Sequence, residues 1–190
     1  MFSIYRRGGL RKRHLAIVSQ SELILQRQEW KRNGQRVACA AGVFDLLHPG
    51  HIRLLEQARG LGEVLVVALQ SDPSVQSGGR QSSQAAATPS RANGRIAARQ
   101  PITPATERAE ILKALAAVDY VVEFHEPTPR EFVARLVPDI VVKGGEPGSQ
   151  ESAFLDDEAV KAAGGRVVRV ALEPGYSTSL LIERITQLHA

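Results

Sequence analysis

Val37-Ala38-Cys39-Ala40-Ala41 runs straight into Gly42-Val43-Phe44-Asp45-Leu46-Leu47-His48-Pro49-Gly50-His51, and the reading of this stretch decides the fold. The apolar run predicts a buried strand, extending back to Arg36. The segment Ile52 to Leu61 is amphipathic and predicts a helix over 49–61. Strand, tight turn and helix start form the usual layout of a phosphate site in an α/β protein. Free backbone N–H groups and the positive end of the helix dipole collect at such a start. Two histidines flank the Pro-Gly there, and imidazoles beside those amides can donate to phosphate oxygens. The arrangement suits a nucleoside triphosphate.

Working outward, the same alternation repeats. Val64 to Leu69 is a continuous apolar run, as expected of a central parallel strand. Upstream, Ser19-Gln20-Ser21-Glu22 fits a capping box for an N-terminal helix that Asn33-Gly34 stops. Downstream, Thr103-Pro104 predicts a cap with proline at the first helical position, opening a helix over 104–117. Strand Tyr120 to Phe124, helix Pro127 to Leu136, strand Ile140 to Val142, helix 152–163, strand Val167 to Ala171 and helix 178–188 follow. The pattern predicts an α/β fold: a doubly wound, Rossmann-like, five-stranded parallel sheet in a single domain with an N-terminal helix. The domain occupies residues 19–190, behind a basic arm over 1–18.

Ligands in such sheets sit at the carboxyl ends of the strands. The turns at 42–51, 70–72, 143–146 and 175–178 all fall on that edge. Ser177 is a natural N-cap, and the same helix end can hold phosphate. In Lys143-Gly144-Gly145 the glycines allow close backbone approach and the lysine can neutralise phosphate. Residues 73–100 interrupt the pattern with Arg80, Arg91, Arg95 and Arg99 and no acid. They read as a mobile insertion beside the site, either a lid or an inert insert.

Of the 190 residues, 43% are hydrophobic and 23% charged, which is ordinary for a soluble globular protein. The single cysteine, Cys39, excludes an internal disulfide and fits a reducing cytoplasm; in a buried strand it reads as core and not as a nucleophile. No apolar region of about 7–15 residues marks a signal peptide, and no segment is long enough to span a membrane. Arg6, Arg7, Arg11, Lys12 and Arg13 hold the excess positive charge, and the rest has 19 basic against 20 acidic residues. Such an arm is either a solvated tail or an anion-binding one. The near-neutral body argues against a nucleic-acid-binding domain.

The spacing His48-x-x-His51 resembles the HxGH signature of the nucleotidyltransferase superfamily. The string from Gly42 to Asp72 resembles its cytidylyltransferase-type branch, and Tyr176-Ser177-Thr178-Ser179 resembles its late motif. Pro138-Asp139-Ile140-Val141-Val142-Lys143-Gly144-Gly145, the segment around Arg108, and Ala117-Val118-Asp119-Tyr120-Val121-Val122 are similar to one subfamily. That subfamily is the adenylyltransferase domain of ADP-heptose synthesis, which moves AMP from ATP to D-glycero-β-D-manno-heptose 1-phosphate.

The resemblance implies catalytic roles for His48, His51 and Lys143. It implies nucleotide contacts from Gly42, Val43, Phe44, His48, Gly50, His51, Gly144, Ser177, Thr178 and Ser179, and acceptor contacts from Asp45, Asp72 and Arg108. Mg²⁺ would accompany the ATP, with no protein metal ligand. A phosphorylated sugar is the implied partner, with a separate sugar kinase in the same pathway, no membrane and no nucleic acid; the resemblance leaves room for a homodimer.

The chain departs from the subfamily at Ala41, Gln70 and Glu146-Pro147, and has no lysine shortly after Asp72. Three other readings therefore stay open: a cytidylyltransferase for glycerol 3-phosphate, a non-catalytic nucleotide-binding protein, and a nucleic-acid binder using the arm and insertion.

Overall fold

A computed structural model of the protein describes residues 16–75, 101–145, 157–171 and 173–188. The elements are β1 (Ala16–Val18), α1 (Gln20–Arg32), β2 (Val37–Gly42), α2 (Pro49–Leu61), β3 (Val64–Gln70), α3 (Ala105–Ala114), β4 (Tyr120–Phe124), α4 (Arg130–Leu136), β5 (Ile140–Gly144), α5 (Asp157–Ala162), β6 (Arg166–Val170) and α6 (Thr178–Gln187). The strands form one parallel sheet in the order β1-β4-β3-β2-β5-β6.

Helices cover both faces. Leu23 and Trp30 of α1, Phe132 and Leu136 of α4 and Val160 of α5 pack with Cys39, Val66, Val122 and Val141 on one. Leu55 and Ala58 of α2 and Ala109 and Leu112 of α3 pack with Ala40, Val67, Val121 and Val142 on the other. Both faces of the central strands are thus buried, which explains why Val64 to Leu69 reads as an unbroken apolar run and not as an alternation.

The expected five strands are six. Ala16-Ile17-Val18, placed with the basic arm by the sequence reading, pairs in parallel with Tyr120, Val121 and Val122 of β4. Three residues are too few to show a period, and Ile17 is exposed. The strand protects an otherwise open edge of the sheet. The rest of the arm and residues 76–100 of the insertion lie outside the described residues, as do residues 146–156. The capping box is as read: the Glu22 amide donates to Ser19 Oγ (3.3 Å) and the Ser19 amide to Glu22 Oε2 (2.9 Å). Gly34 continues the stop after Asn33 with φ 65°.

The amino edge of the sheet is closed by carboxylates. Asp139 accepts from the Val37 amide (2.7 Å) and Asp119 from the Leu65 amide (2.8 Å). Glu63 accepts from the Arg36 amide (2.8 Å), and the Arg36 side chain and backbone together hold its carboxyl down at about 2. Cys39 is fully buried in β2, and burial pushes its thiol up to about 12, so it is no nucleophile.

Strand order turns back between β2 and β5: β3 and β4 lie to one side of β2, β5 and β6 to the other. The crevice at the carboxyl ends of β2 and β5 is the topological switch point, where open α/β sheets bind ligands.

Candidate active site

The loop after β2 carries the histidines into that crevice. Phe44 adopts φ 49°, a left-handed conformation that costs a bulky residue about 1–2 kcal/mol. Its ring is buried against the core, packs beside Gly42, and lies 5.4 Å from the His51 ring. His48 occupies the N-cap position of α2 with extended backbone, followed by Pro49, and its side chain does not cap the helix. The His48 and His51 rings stack at 3.9 Å with 22° between their planes. Gly50 sits close against the pair: a Cβ there would stand 3.0 Å from His48 Nδ1.

The last turn comes to the same place. That Cβ on Gly50 would lie 3.5 Å from Cβ of Tyr176, so the start of α6 abuts the start of α2. Ser177 caps α6 by accepting from the Leu180 amide (3.1 Å), with Thr178 and Ser179 in the first turn. Arg53, on α2, forms an ion pair with Glu173 and lies 5.8 Å from the Tyr176 ring centroid. No local pattern in the sequence announces that long-range contact. A cleft of about 480 Å³ lined by Leu47, His48, Pro49, Ile52, Arg53 and Glu56 opens beside the pair. A second, of about 460 Å³, lies between α1 and β1, away from this edge.

Residues 39–88 match the family described as cytidylyltransferase-like. The chain is 43% identical over 168 residues to a protein named "Bifunctional protein HldE" from Koribacter versatilis, covering 88% of this chain and 31% of that protein. A protein of the same name from Pasteurella multocida is 37% identical over 172 residues, covering 90% and 32%. The matched segment is cytidylyltransferase-like. These similarities support a nucleotidyltransferase, and the chain spans about a third of the length of these curated relatives. Among solved structures it is similar to a lipopolysaccharide core biosynthesis protein from Thermoplasma volcanium, at 28% identity and TM-score 0.51, over 74% of this chain and 98% of that one.

The remaining residues named from the sequence take different parts. Arg108 is 1% exposed. Its Nε donates to the Thr103 carbonyl (2.8 Å), Nη1 to the carbonyls of Val43 and Gln70 (the latter at 3.1 Å), and Nη2 pairs with Asp72. These bonds clamp the ends of β2 and β3 together.

The two carboxylates expected at the acceptor also bind backbone. Asp45 accepts from the Ile102 and Thr103 amides (both 2.9 Å), and Asp72 from the Ala105 amide (3.1 Å). The expected Thr103 cap is displaced by one residue. Pro104 holds the N-cap position of α3 without a side-chain bond, and Asp72 serves the first turn instead. Lys143 is 5% exposed. By strand alternation it leaves the sheet with Val141, on the α1, α4 and α5 face. Gly144 ends β5 beside Val170. Gln70, which stands where the family has asparagine, donates to Ser74 Oγ (2.9 Å) and the Pro127 carbonyl (3.3 Å). Glu146 and Pro147 lie outside the described residues.

Burial, and then the His48 charge, lower the His51 pKa from 6.5 to about 4. Its buried Nδ1 has no hydrogen-bond partner, which favours the proton on Nε2. His51 is therefore neutral at pH 7, and a bound polyphosphate would raise its pKa. The folded value lies below the unfolded one, so the unfolded chain binds more protons between about pH 4 and 6.5. Folding stability is fully present above about 6.5 and declines as pH falls toward 4. Urea unfolding across that window will show the decline, and His51→Gln will flatten it. Separately, Arg108→Ala will destabilise the fold by about 3–5 kcal/mol in urea unfolding, because Asp72 and three carbonyls lose their donor.

Proposed function

We propose that the protein transfers AMP from ATP to a sugar 1-phosphate of the heptose 1-phosphate type, releasing pyrophosphate. The observation that carries the reading is the stacked His48–His51 pair at the start of α2, abutted by the start of α6. Two helix N-termini converging on one point suit a polyphosphate, because both present amides and positive dipole ends. The similarity to the proteins named HldE, with the sequence segments around Arg108, Asp119 and Lys143, supports the heptose-type acceptor over glycerol 3-phosphate.

In this reading an acceptor phosphate oxygen attacks the α-phosphorus of ATP in line. A new P–O bond forms, the bond to the bridging oxygen of the β-phosphate breaks, and pyrophosphate departs with that electron pair. No covalent enzyme intermediate is required. Catalysis is positioning and charge stabilisation. His48 and His51 donate to the triphosphate and to the charge that develops around the α-phosphorus. Thr178, Ser179 and the α6 amides hold the β and γ phosphates, while the Ser177 hydroxyl keeps the helix end in shape. Gly42, Val43 and Phe44 line the nucleotide side and Gly144 the opposite wall. Mg²⁺ would enter with ATP, held by phosphate oxygens and water; among the described residues no cluster of three or more acidic, histidine or cysteine side chains is arranged around a metal position. Among the described residues no helix is long and apolar enough to cross a membrane. ATP as donor goes with action in the cytoplasm, and a sugar kinase supplies the acceptor.

The test is pyrophosphate release with Mg²⁺, comparing kcat/KM for ATP with heptose 1-phosphate against CTP with glycerol 3-phosphate. The first pair will win by at least about tenfold, or about 1.4 kcal/mol, which one or two hydrogen bonds can supply. The opposite ranking would remove the acceptor assignment and keep the reaction class; no turnover with either pair would favour a nucleotide-binding protein without catalysis. In the same assay His48→Ala and His51→Ala will each lower kcat by on the order of 10²–10³ while the protein stays folded.

A further inference from the structure

Helix α6 carries the second half of the proposed phosphate grip, yet packing does not hold it down. None of its residues is buried, and Leu180, Ile182 and Ile185 remain 38–52% exposed. Its cap is internal, Ser177 to the Leu180 amide, and fixes the helix end without fixing where that end points. Arg53 supplies what the core does not. It lies on the second turn of α2, five residues after His48, and its guanidinium reaches across to the Glu173 carboxylate and lies near the Tyr176 ring. Glu173 and Tyr176 bracket the Gly175 bend, with φ 81°, that leads into α6.

We propose that Arg53 is a positioning residue for nucleotide binding: through Glu173 and Tyr176 it sets the start of α6 against the start of α2, so that both helix ends meet one polyphosphate. The proposal rests on the nucleotidyl-transfer reading. An exposed ion pair alone is worth little. A cation–π contact adds to it, so together they can hold an otherwise unpacked helix end. Arg53 need not touch the reacting atoms. Its effect falls on binding, because the misplaced helix costs affinity in ground state and transition state alike.

The experiment uses Arg53→Ala, Glu173→Gln and the exchanged pair Arg53→Glu with Glu173→Arg. Each single variant will weaken ATP–Mg²⁺ binding about tenfold in calorimetric Kd and in KM, with kcat within about threefold. Hydrogen exchange at the Leu180 and Leu181 amides will accelerate in the ligand-free protein. The exchanged pair will restore both readouts, which lost stability alone would not do. Unchanged Kd in both single variants overturns the proposal. So does faster exchange without weaker binding, or an exchanged pair that restores neither. The exchange arm needs no turnover: if the wild-type protein binds no nucleotide, the nucleotidyl-transfer reading fails on that result, while the contact between Arg53 and the α6 turn still stands or falls on exchange.

Discussion

One buried guanidinium joins the separate parts of this site. Arg108 donates to carbonyls at the ends of β2 and β3 and in the loop before α3, and it pairs with Asp72. The Val43 carbonyl it holds immediately precedes Phe44, whose left-handed backbone turns the chain toward the histidines. A lysine would bring charge without a planar fork, and so could not serve several acceptors in fixed directions. Asp45 completes the arrangement from the other side by binding the amides of Ile102 and Thr103. The loop that carries the histidines and the start of α3 are thereby locked to each other, though 57 residues separate Asp45 from Ile102.

The two edges of the sheet have opposite characters. At the amino edge, Asp119, Asp139 and Glu63 satisfy strand amides from within the protein. At the carboxyl edge, the charged side chains are used to shape loops, and the helix starts of α2 and α6 converge. Anion binding at that edge needs few dedicated cations, because the amides and dipoles of two helices supply much of the positive potential.

What the sequence made legible follows from how local each signal is. The run from Val37 to His51, the helix over 49–61 and the capping boundary at Ser19 depend on neighbours within a few residues, and the structure has them where the sequence places them. Strand β1 was missed because three residues carry no period and its pairing is with β4, about a hundred positions away. The site divides in the same way. The histidines and Ser177 sit at helix starts that local sequence announces. Asp45 and Asp72 were noticed in turns, and Arg108 through the resemblance of its segment, but the direction of each side chain was hidden. Whether a carboxylate in such a turn faces solvent or a neighbouring loop's amides is decided by the fold. Arg53 gave no signal, since its partner stands 120 positions downstream.

Cys39 carries a consequence of a different kind. It is the single thiol of the chain, it has no accessible surface, and burial holds it protonated far above neutral pH. Alkylating and disulfide-forming reagents act on exposed thiolate, so the native protein behaves toward them as though it lacked cysteine. A fluorophore or spin label attached through a newly introduced surface cysteine would report from one known position, without first replacing a core residue and opening a void between the helices and the sheet.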